Sequence, residues 1–70
     1  MDKMKNYEAW DIENNFSIYN GGHINSLINE LMDYIEYQNH IDEELISEEE
    51  IRNLDSKALK KVGIKIFVNA

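Results

Sequence analysis

The spacing of apolar residues changes period twice along the chain, and each change marks a different element. In "YEAWDI", residues 7 to 12, and in "FSIY", residues 16 to 19, apolar and polar positions partly alternate, as they do on a half-buried strand. "ENN" lies between them, and Asn tolerates the positive φ that tight turns require. The pattern predicts a β-hairpin, which Gly21-Gly22 then breaks.

From His23 the period lengthens. Ile24, Leu27, Ile28, Leu31 and Ile35 recur at the i, i+3, i+4, i+7 spacing of one helical face, which predicts a helix over roughly 23–39. Asn20 or the glycines are candidates for its start, and "QNHID" for its end.

A second helical stripe, Ile51, Leu54, Ala58, Leu59 and Val62, follows Ser47. Ser47 and Glu50 have the spacing of a capping box, and Ile46 and Ile51 that of a hydrophobic staple. Gly63 stands where a helix ends in the left-handed conformation. Asp55 or Ser56 is a second candidate cap, which would split this helix in two.

The alternation returns in "IKIFV", a third strand. The expected fold is α+β: a small ββααβ domain over residues 1–70, with residues 1–5 flexible and both helices on one face of a three-stranded antiparallel or mixed sheet. Strand three is expected to pair with strand one. Trp10, Phe16 and Phe67 are expected to fill the core.

Composition adds a constraint on stability. A chain of 70 residues buries only about 60% of the surface its unfolded form exposes. It has no Cys to reinforce that core with a disulfide. A partner or a second copy would supply further burial.

The charge map changes the picture most. Fourteen Asp and Glu face seven Lys and Arg, a net charge of -7. Apart from Asp2 and Asp55, every acid lies between Asn6 and Ile51, where there is no Lys or Arg. From Arg52 onward the balance reverses, with Arg52, Lys57, Lys60, Lys61 and Lys65 against Asp55 alone. An ordinary solvated surface mixes the two signs; the plainer readings are that the acids serve only solubility or pair across the fold with the C-terminal lysines. Segregated signs leave a strong local field.

"DEELISEEE", residues 42 to 50, shows the two uses of acid side by side. Glu48, Glu49 and Glu50 occupy the first turn of the second helix, where the helix dipole favours them. Asp42, Glu43 and Glu44 have no such role, because they follow the first helix, whose negative pole repels them. A local cost of that kind is expected where a residue serves function.

Catalytic patterns are thin. The chain offers no Cys nucleophile, Gly-rich phosphate loop or paired-histidine motif, and no enzyme activity is expected. Glu36, His40 and Asp42 have a spacing that could meet a divalent cation, but a His at a helix end is explained by the dipole alone. No metal or cofactor is expected. Direct nucleic-acid binding needs a basic patch larger than this chain carries. Anionic lipid would repel the acidic surface. No apolar run approaches a membrane span, and the first ten residues lack the apolar stretch of a secretory signal. The expected location is therefore the cytoplasm, that of a host cell if the protein is phage-encoded.

These features point to a small acidic inhibitor that occupies the basic nucleic-acid-binding site of a host protein by imitating DNA or RNA, in the manner of anti-CRISPR or antirestriction proteins. The expected contact residues are Glu30, Asp33, Glu36, Tyr37, Asp42, Glu43 and Glu44. Exposed Tyr among carboxylates suits Arg and Lys on a partner. A second reading is an acidic regulatory or assembly module that binds a partner, or itself as a homodimer, through a sheet edge or apolar face.

Overall fold

The computed structural model describes residues 5–38 and 43–69. The strands are β1 (Asn6–Asp11), β2 (Phe16–Gly21) and β3 (Ile64–Asn69). Between β2 and β3 run α1 (Ile24–Tyr37), α2 (Glu48–Arg52) and α3 (Ser56–Lys61). The class is α+β, with an antiparallel sheet in the order β2-β1-β3. The expected pairing of the third strand with the first is therefore present.

The hairpin turns on Asn15, whose φ of 53° uses the tolerance of Asn for left-handed backbone. The β1–β2 register shifts between Ala9 and Trp10, which face Tyr19 and Ser17 respectively. Ile18 is thereby left as the extra residue of a β-bulge, packed against the core.

The 14 residues of α1 bury Leu27, Leu31 and Ile35, each worth about 1.5–3 kcal/mol against exposure. His23, the residue before α1, makes no side-chain cap. The Tyr19 hydroxyl instead fixes the backbone of His23: it accepts from the His23 N–H and donates to the His23 carbonyl, both at 3.2 Å. A Cβ on Gly21 would lie 2.5 Å from that hydroxyl, so glycine gives the tyrosine its place.

The second helical stripe folds as two helices. Ser47 caps α2 with both halves of the capping box in place, and Ile46 and Ile51 are both buried. The chain then reverses at Leu54, in the left-handed region at φ 51°. Asp55 N–H bonds to the Glu50 carbonyl and Leu54 N–H to the Ile51 carbonyl, each at 3.0 Å, the two bonds of a Schellman ending. Asp55 then caps α3 through the N–H groups of Lys57 and Ala58. Five residues are too few for a self-sustaining helix, so Ile51 and Ala58 hold these short helices by packing in the core.

Ala9 of β1 and Ile64 of β3 join Leu27, Ile35, Ile51 and Leu59 in a single apolar cluster. The aromatic expectation is corrected here. Phe16 is 51% exposed and Phe67 40%, and Trp10 is half-buried. The register explains Phe67: it pairs with Glu8, one residue out of phase with the buried Ala9 opposite Ile66. Phe16, at the start of β2, stacks on Tyr34 of α1 with ring centroids 5.8 Å apart. Residues 1–4, most of the segment expected to be flexible, fall outside the described residues.

Candidate protein-binding interface

The acids fall into two groups, according to whether the fold uses them. Among the described residues, Asp11 is the buried one, 4% exposed at the end of β1. Its Oδ1 accepts from the backbone N–H groups of Glu13 and Asn14 at 3.1 and 3.0 Å. Its Oδ2 accepts from the Asn14 side chain at 2.8 Å and from the Tyr34 hydroxyl. Burial raises the carboxyl, but the bonds from Tyr34 and Asn14 and the two backbone bonds outweigh it and hold Asp11 below the usual carboxylate range. Burial, the hydrogen bond and the adjacent negative charge together push the Tyr34 phenol up. The group ties the hairpin turn to α1. Glu50 and Asp55 are likewise engaged, as the partners of helix starts.

The second group lies on α1. Glu30, Asp33 and Glu36 are all exposed, and Tyr37 is 80% exposed. At ~100° per residue, Asp33 points within about 20° of the direction opposite the Leu27–Leu31–Ile35 stripe, with Glu30 and Glu36 ~60° to either side. The three rise along the axis by ~4.5 Å per step. Periodicity alone sets this arrangement, because the residues that bury the opposite face fix which way the acids point.

Glu43 and Glu44 are exposed in the connection before α2. Glu44 adopts φ 59°, a left-handed conformation that costs a residue with a Cβ about 1 kcal/mol. Asp42 and His40 lie outside the described residues, and with them the possible Glu36–His40–Asp42 cation site. Among the described residues, no three His, Asp or Glu gather as a metal-holding group. None of the described helices is long and apolar enough to cross a membrane.

The sequence reading missed the division of labour between the two α1 tyrosines. Tyr34 belongs to the fold through Asp11 and Phe16, while Tyr37 faces outward. The helical stripe carried a usable signal, since Tyr34 falls three residues after Leu31 and seven after Leu27, along the edge of the apolar stripe, whereas Tyr37, four after Asp33, falls on the acidic side. It also missed a groove between α3 and β3, floored by apolar side chains and edged by Lys57, Lys60 and Lys65.

Comparison with family models, curated proteins and solved structures finds no match to this chain.

Proposed function

We propose that the protein is a stoichiometric inhibitor that presents the outer face of α1 to the basic nucleic-acid-binding surface of another protein. The helices lie on one face of the sheet in this reading, and α1 turns its acids away from them. The observation that carries the proposal is the exposure of Glu30, Asp33, Glu36 and Tyr37 together on one side of one helix. Glu43 and Glu44, and Asp42 by sequence position, extend the negative charge beyond the helix end.

The electrostatics are those of a nucleic-acid backbone read at coarse spacing. Charges step along α1 by ~4.5 Å, against ~3.4 Å along one DNA strand. Such a face steers a basic partner toward it and speeds encounter. Tyr37 supplies the ring that Arg or Lys stacks on, which slows release. The fit to a phage-encoded anti-CRISPR or antirestriction role rests on size and charge alone.

The test is capture from a nuclease-treated bacterial lysate by the immobilised protein, at low and high salt, with duplex DNA as competitor. The expected result is a nucleic-acid-binding protein retained at low salt and released by both salt and DNA. A partner that resists both would overturn the proposal and favour pairing at the free edge of β2 or β3, which depends on backbone hydrogen bonds.

A further inference from the structure

A concavity of about 340 Å³ lies between α3 and β3. Ile12 and Ile66 present apolar surface to it, and Leu59 and Ile64 are fully buried beneath them. Lys57, Lys60 and Lys65 also line it, and all three are exposed. Two of the seven basic residues of a chain with net charge -7, Lys57 and Lys60 of α3, thus stand together at one apolar hollow.

We propose that this groove binds a small amphipathic carboxylate of the fatty-acid type, its chain against Ile12, Ile66 and the lysine stems and its head group between Lys57 and Lys60. The size is at the lower end of small-ligand sites, which span about 300–1,000 Å³ and join an apolar lining to a few placed polar groups. Lysine suits both parts of such a ligand, because its stem covers apolar surface while its ammonium stays in water. Lys65 shares the side of β3 that carries Phe67, with Nζ 5.3 Å from the ring centroid, so Lys57 and Lys60 on α3 are the cations placed for the carboxylate.

The neighbouring acids do not cancel this charge at close range. Asp55 is turned toward the backbone N–H groups of Lys57 and Ala58, at 3.0 and 3.2 Å. Glu13 packs its carboxylate against Gly63 and does not line the groove. A phosphate ion would gain nothing from the floor, and an apolar cation would be repelled by the lysines.

Titration of the full chain with laurate, below its micelle concentration and followed by amide NMR shifts, tests the site. Shifts should localise to residues 57–66 and Ile12. Reversal of two charges in Lys57→Glu/Lys60→Glu should weaken binding about tenfold, and Lys60→Gln alone about threefold. Lys61→Glu, an exposed change on the same helix outside the groove, should leave binding unchanged, as should neutralising Glu30, Asp33 and Glu36. Circular dichroism checks that each variant folds, and Lys60→Gln carries the test if the double variant does not. The proposal is overturned if laurate gives no localised shifts, if Lys61→Glu weakens it as much as the groove variants, or if dodecyltrimethylammonium binds as well. Shifts caused by an acidic peptide but not by laurate would also overturn it.

Discussion

Asp11 and Asp33 are the same chemical group in opposite circumstances. Asp11 is buried, receives four hydrogen bonds and fastens the hairpin turn to α1. Asp33 stands on the outer side of α1, opposite the stripe that packs into the core. The contrast teaches that net charge is a poor guide to what an acid is for. A carboxylate enclosed by donors is part of the architecture, and removing it leaves those donors unpaired. One that faces solvent is available to a partner.

The largest effect should come from the enclosed group. Asp11→Ala strips the acceptor from Tyr34, Asn14 and two backbone N–H groups, and should cost about 2–4 kcal/mol in urea unfolding. That is a large part of the total stability of a 70-residue domain, roughly 3.5–10 kcal/mol. A loss under about 0.5 kcal/mol would erase the distinction between the two acids.

The pH dependence sharpens the same contrast. The Asp11 carboxyl is held low, so its contribution is full above the ordinary value of about 4 and fades as pH falls through the lower folded value. Tyr34 is pushed up, so its contribution is full below about 10 and fades as pH rises through the higher folded value. Stability followed toward acid should therefore fall more steeply in the wild type than in Asp11→Asn.

Gly63 gives the next effect. It lies at φ 77°, and an added Cβ would meet the Glu13 carboxylate group at 2.7 Å. Gly63→Ala should cost about 1–2 kcal/mol, seen as a lower urea midpoint, because the turn into β3 uses left-handed backbone. The smallest effect belongs to the exposed set. Glu30→Gln, Asp33→Asn and Glu36→Gln together should change stability by no more than about 0.5 kcal/mol in the same assay.

Much of this architecture was legible in the residues, and the exceptions have physical causes. The period of α1, the capping box at Ser47 and the left-handed end at Gly63 are local signals, each written within a few positions. The break between α2 and α3 was visible only as an alternative cap at Asp55. Its left-handed residue is Leu54, and leucine gives no sign of that conformation. The Asp11–Tyr34 bond joins residues 23 apart, so no local pattern records it. The exposure of Phe67 follows from register, since placing Ile64 and Ile66 inward on β3 leaves Phe67 facing the other way. On the acidic side, the outward direction of Glu30, Asp33 and Glu36 was fixed by helical period, whereas the left-handed turn at Glu44 had no sequence signature.

The most direct test joins stability and capture in one variant. Wild type and Glu30→Gln/Asp33→Asn/Glu36→Gln are immobilised side by side, and the protein that duplex DNA displaces from each is quantified, with the urea midpoint of each measured alongside. An unchanged midpoint with loss of the displaceable partner is the predicted result. Undiminished capture by the neutralised helix would contradict the account.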